Sequence, residues 1–151
     1  MGLDQFAYKM KYTPSKEVDF REEIEDKQAI LQKRIEENGT GQTAGEIFLD
    51  GDIQEEEIHY WRKHPNLQGW MEKLYREKGG EDDAFNCVPV LLKVEDLNRL
   101  KKDIEERNLP ETLGFFFGTS DDDDAADDLE FVAAALKAIE EGYTVYYSSW
   151  W

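Results

Sequence analysis

Two histidines, one cysteine and a run of aspartates are the residues of this 151-residue chain best suited to chemistry. His59 and His64 are its only imidazoles, and Glu55, Glu56 and Glu57 precede the first of them. A helical zinc-protease site needs His-Glu-x-x-His, which sets two imidazoles on one face beside a carboxylate that activates water. His59-Tyr60-Trp61-Arg62-Lys63 does not supply it. Cys87 has no base beside it in sequence and reads as a small buried apolar group rather than a nucleophile. A single cysteine also forbids an intramolecular disulfide and a cysteine-rich zinc site. No glycine-rich loop closes on Lys-Ser or Lys-Thr, so no phosphate cradle of that type is present. The sequence therefore assigns no catalytic set, no metal site and no cofactor.

Two stretches are candidates for binding. The first is Asp121, Asp122, Asp123 and Asp124 with Asp127 and Asp128, at the start of an expected helix. Carboxylates there stabilise the helix dipole by about 0.3–1 kcal/mol each. They can also gather a divalent cation, or face a basic partner. An EF-hand loop is ruled out, because Ala126 and Val132 stand where Gly and Glu are required. The second stretch is Tyr60, Trp61, Arg62 and Lys63. Trp and Arg are enriched at the energetic centres of interfaces. The competing role for Trp61, as for Trp70, is to fill the core.

The elements that must position these residues follow from periodicity. Phe6, Tyr8, Met10 and Tyr12 alternate with Gln5, Lys9 and Lys11, the signature of a half-buried strand. Phe20, Ile24, Leu31 and Ile35 predict a helix capped by Asp19 and closed at Asn38-Gly39. A loop over 38–45 and a short strand at Ile47–Leu49 follow. A helix is expected from about Ile53 to Lys63, broken at His64-Pro65, with Pro65 opening the next. Leu67, Trp70, Met71, Leu74 and Tyr75 form its apolar stripe, and Gly79-Gly80 end it. Val90–Val94, Leu113–Phe117 and Tyr143–Ser149 read as strands. Leu97–Ile104 and Leu129–Ile139 read as helices, the second closed by Gly142. This order predicts one α/β domain over residues 1–151, a single-domain sandwich of four to five mostly parallel or mixed strands with packed helices.

Charge narrows the function. There are 18 Lys and Arg against 35 Asp and Glu, a net −17. That excludes direct nucleic-acid binding by phosphate neutralisation and docking on an anionic membrane, both of which need a basic face. The charge is uneven. Residues 13–57 hold 14 acids and 5 bases, and residues 103–141 hold 13 acids and 2 bases. Residues 58–102 between them hold 7 acids and 9 bases. No secretory signal or membrane-spanning run is seen, so a cytoplasmic location is expected.

Several short blocks come in a characteristic order. They are Met1-Gly2-Leu3-Asp4, Tyr60-Trp61-Arg62-Lys63, Gly114-Phe115-Phe116-Phe117-Gly118 and Tyr146-Tyr147-Ser148-Ser149-Trp150. In this the chain resembles a family of small, functionally uncharacterised bacteriophage and prophage proteins. Members are sometimes labelled phosphoglycerate kinase, a label the missing phosphate loop does not support. The resemblance covers most of the chain outside about 13–51, which reads as an acidic insertion. It implies a phage accessory protein in the host cytoplasm, non-enzymatic, that binds a host or phage macromolecule. The acidity makes a basic or nucleic-acid-binding protein the expected partner, with mimicry of nucleic acid to inhibit a host enzyme as a special case. Two alternatives belong to other classes. One is a small hydrolase or nucleotide-modifying enzyme at the strand carboxyl ends, using Asp4, Arg62, Gly118–Asp124 and Ser148-Ser149. The other is a homo-oligomeric structural component that associates through Trp150-Trp151.

Overall fold

The computed structural model describes residues 2–26, 29, 55–110 and 124–151. The expected strands at Ile47–Leu49 and Leu113–Phe117, the loop at 38–45 and most of the predicted helix after Asp19 lie outside them. Within them the chain runs β1 (Asp4–Met10), β2 (Glu56–Arg62), α1 (Pro65–Glu77), β3 (Val90–Leu92), α2 (Val94–Glu105), α3 (Asp124–Glu140) and β4 (Thr144–Trp150). The four strands form one sheet in the order β2-β1-β4-β3.

The α/β class holds, but the expected mostly parallel or mixed pairing is corrected among the described residues. Every ladder between the described strands is antiparallel. The expectation placed one helix between successive strands. Here both α2 and α3 lie between β3 and β4. Each helix reverses the chain once, so two of them return the next strand antiparallel. The expected helix over Ile53–Lys63 is also corrected, because β2 occupies most of it. The run of three glutamates suggests a helix, but His59 and Trp61 alternate with Tyr60 and Arg62. Pairing with β1, from Asp4 opposite Arg62 to Lys9 opposite Glu56, supplies the ladder that settles the backbone as strand. Asp19 does not cap a regular helix start. It has φ 54°, and its carboxylate accepts the Tyr75 hydroxyl at 2.6 Å.

The sheet has two unlike faces. One carries Ala7, Trp61, Val90, Leu92, Val145 and Tyr147, all buried under the apolar stripes of the three helices. The other carries Met10, Leu91 and Tyr146, covered by Phe20 and by Ile24 of the helical segment at 21–26, with Tyr8 and Tyr12 beside them. The alternation read along β1 is therefore genuine, but both of its faces are used. Gln5, on the polar side of the pattern, is wholly buried on the helix side.

Helices α1, α2 and α3 end in the same way. Gly80 N–H bonds Tyr75 O at 2.9 Å and Gly79 N–H bonds Arg76 O at 3.1 Å. The same pair of bonds closes α2 at Arg107 and Asn108, and α3 at Gly142 and Tyr143. This is the left-handed helix cap, which favours glycine at its turning residue. Gly79 and Gly142 both have φ 95°, whereas α2 uses Arg107 at φ 57°.

Gly142→Ala has open space for its new methyl, so its effect is conformational: about 1 kcal/mol lost in urea denaturation. Gly80→Ala drives a methyl into the Tyr75 ring, itself fully buried, and is expected to cost about 1–3 kcal/mol through overpacking. Equal stability of wild type and Gly80→Ala would refute that packing.

Candidate functional site

The strongest concentration of chemistry-bearing groups lies where the end of β2 meets the start of α3. The β-period of β2 turns His59 and Trp61 toward the helices. There Trp61 packs edge-on to Phe131, with ring centroids 4.7 Å apart. The Trp61 indole N–H donates to Asp128 Oδ1 at 2.9 Å. His64 Nε2 lies 2.7 Å from Asp128 Oδ2. His64 and Asp128 are 3% and 1% exposed, so this carboxylate is held by two donors out of contact with water. One residue earlier, Asp127 Oδ2 lies 2.9 Å from His59 Nε2 at the partly exposed rim. Adjacent aspartates on one helix thus each engage one of the chain's two histidines.

The buried pair continues into a polar network. Gln5 accepts the His64 N–H at 2.8 Å through Oε1, and its Nε2 donates to His64 O at 3.0 Å and to the Tyr147 hydroxyl at 2.9 Å. The Tyr147 hydroxyl donates to Gln68 Oε1 at 2.5 Å, and Gln68 Nε2 donates to Phe85 O at 3.1 Å. Burial drives the Tyr147 phenol upward, well above its ordinary value of 10.0. Complete satisfaction is what makes such a network tolerable in an apolar core.

This geometry redistributes the sequence candidates. Trp61 and Asp128 belong to the interior, so they cannot form part of an exposed binding surface. Arg62 and Lys63 are exposed at the end of β2. Tyr60 is 45% exposed on the opposite face, where its hydroxyl donates to Asp4 Oδ1 at 2.5 Å. Asp127 remains at the rim. Asp121, Asp122 and Asp123 lie outside the described residues, as does the Asp124 side chain. Lys78, part of the mildly basic middle of the sequence, is not a free surface cation. It donates to Leu91 O and Asp96 Oδ2, each at 2.6 Å, and ties α1 to β3 and α2. Among the described residues, no group of three His, Cys, Asp or Glu side chains is arranged to hold a metal ion.

Sequence reasoning missed the far face of the sheet. Phe6 and Tyr8 stack at 5.9 Å, Phe6 and Tyr60 lie 5.2 Å apart, and Tyr8 and Tyr146 lie 5.3 Å apart. Trp150 is 61% exposed at its end. Their alternate spacing was legible, but which strands lie side by side was not. Part of the described first acidic block borders this face: Glu25 and Glu55 line a groove in it and Glu57 lies opposite Tyr8, whereas Glu56 pairs with Lys9 on the helix side and Glu17 with Lys78 and Lys93. Glu22, Glu25 and Asp26 are exposed on the covering segment, and Glu55, Glu56 and Glu57 at the start of β2. Asp127 and Asp128 lie across the sheet, on the helix side.

Of the groups that the enzyme reading names, Gly118–Asp123 lie outside the described residues. Ser148 and Ser149 line a groove on the far face whose lining includes neither Asp4 nor Arg62. Trp151 is pinned, its indole donating to Phe85 O at 2.9 Å. No helix among the described residues is long and apolar enough to cross a membrane. No protein-family model, curated protein or solved structure matches the chain.

Asp128→Ala strands the Trp61 and His64 donors in the core and is expected to cost about 3–5 kcal/mol. Asp127→Ala, at the wet rim, should cost under about 1 kcal/mol. Chemical denaturation of the two variants checks the contrast, and similar losses would contradict it. A second expectation concerns alkali. Burial and the Asp19 bond push Tyr75 up to about 12, and the Glu23 bond pushes Tyr12 up to about 12. Folding raises these values above the unfolded 10.0, so their contribution is full below pH 10 and is lost as pH climbs toward 12 and beyond. Near-ultraviolet tyrosinate absorbance should therefore lag free tyrosine and rise together with loss of structure. Normal titration of every tyrosine in a folded protein would contradict this.

Proposed function

We propose that this chain is a non-enzymatic binding protein that engages a basic macromolecule, in the first instance a basic or nucleic-acid-binding protein. The observation that carries this reading is the far face of the sheet. Glu25 and Glu55, from two distant stretches, and Glu57 opposite Tyr8 border a row of aromatic rings there. Aromatic rings supply contact area at low entropic cost, and the surrounding charge steers and selects an oppositely charged partner. The histidines and Asp128 support it from the other side, since their hydrogen bonds serve to join β2, α1 and α3.

The resemblance to small phage proteins supports an accessory role in the cytoplasm of an infected cell. Nucleic-acid mimicry is the special case in which the carboxylates stand in for phosphates. In that case the first acidic block carries the contact, because the described part of the second lies across the sheet.

The test is capture from host lysate followed by reconstitution with the purified partner. A basic partner is expected, with a complex that weakens steeply toward about 1 M salt, where charges are screened within ~3 Å. The triple variant Glu55→Gln/Glu56→Gln/Glu57→Gln should weaken it as well. A complex indifferent to both salt and the triple variant, or no basic partner at all, overturns the proposal.

A further inference from the structure

The far face holds a groove of about 280 Å³ between β1, β4 and the covering segment. Its walls are the rings of Phe6, Tyr8, Tyr146 and Trp150, and its charged groups are Arg21, Glu25 and Glu55. The volume falls just under the roughly 300–1,000 Å³ of sites that enclose a drug-sized ligand. It suits one inserted side chain.

The charges select which side chain. Arg21 Nε donates to Glu25 Oε1 at 3.0 Å, and Arg21 Nη1 to Cys87 O at 3.3 Å. That pair is internally balanced. Among the described residues no ion pair is seen at Glu55, and the Tyr146 hydroxyl bonds to it. Glu57 and Glu55 also act on Tyr8 and, after burial, help to push its phenol upward. The groove is therefore aromatic, open and electronegative. An anion or a nucleotide phosphate would meet Glu55, and a hydrated metal ion would meet rings rather than ligands. A planar, weakly hydrated cation meets what it favours: ring faces on which to stack and a carboxylate to accept its N–H groups.

We propose that the groove between Phe6, Tyr8, Tyr146 and Trp150 receives an arginine side chain of a protein partner, with Glu55 as its counter-ion. This rests on the reading of the chain as a binder of basic proteins and names the contact that such a partner makes. Arginine is favoured over lysine because an ammonium is a compact, strongly hydrated point charge that does not stack.

The experiment uses the full chain, ¹⁵N-labelled and followed by NMR, titrated with the blocked peptide Gly-Arg-Gly. The matching citrulline peptide, isosteric but neutral, and the matching lysine peptide are run beside it. The Trp150 indole resonance should shift with the arginine peptide, less with lysine and not with citrulline. Glu55→Gln and Trp150→Ala, at exposed positions, should each weaken arginine-peptide binding about threefold or more, while Glu105→Gln on α2 leaves it unchanged. Equal shifts with citrulline, or affinity unaffected by Glu55→Gln and Trp150→Ala, overturns the assignment. If the reconstituted complex stays salt-sensitive in that event, the groove proposal alone has failed. Loss of the salt-sensitive complex itself would instead defeat the broader reading.

Discussion

A single buried carboxylate constrains the arrangement of this protein. Asp128 lies in the early turns of α3, where water cannot reach it. An ionised carboxyl in that position is tolerated only if donors surround it. The donors come from two other elements: the indole of Trp61 in β2, and the imidazole of His64 at the threshold of α1. Three elements must therefore converge on one residue. Gln5 extends the constraint into β1, holding both backbone groups of His64 and reaching Tyr147 in β4. The network acts as a register device. If β2 slipped by one residue along β1, Trp61 would turn to the far face and the carboxylate would lose a donor.

The same network explains why the residues most suggestive of catalysis do not form an exposed centre. His64, Asp128 and Tyr147 have their hydrogen bonds directed at one another and at the backbone. The opposite face of the sheet lies outside this network. There the rings range from the buried Tyr146 to the exposed Trp150, and Glu25 and Glu55, thirty residues apart, line one groove. The chain thus divides its polar chemistry between a dry side that orients structure and a wet side that carries exposed carboxylates beside aromatic rings. The net charge of −17 takes on a location through this division. Part of it frames the aromatic face, and part, at Asp127 and Asp128, clamps histidines on the far side of the sheet.

Much of the fold was legible in the sequence. The stripe from Leu67 to Tyr75, the proline that opens α1 and the glycines that close α1 and α3 all appear where local rules place them. Their signals lie within one helical turn of the residues they govern. The strand at β2 was misread because its local signals conflict. Three glutamates and a basic end favour a helix, whereas the alternation that favours a strand covers only a few residues. Only the ladder with β1, some fifty residues away in sequence, decides between them. The candidate site was half legible. Tyr60, Arg62 and Lys63 are surface residues, but Trp61 between them and Asp128 are core, and no neighbouring residue distinguishes the two cases.

By itself the sequence determined which segments bury an apolar stripe, where helices end, that a core is affordable without staples, and that the surface is acidic. These follow from composition and short-range periodicity. The tertiary structure alone decided the antiparallel order β2-β1-β4-β3, the pairing of both histidines with adjacent aspartates, and the gathering of distant carboxylates around one set of rings. Each of these depends on contacts between residues far apart in sequence, from thirty positions for Glu25 and Glu55 to more than a hundred for β1 and β4. Such contacts are chosen by the joint packing of the whole chain, and no local pattern of residues encodes them.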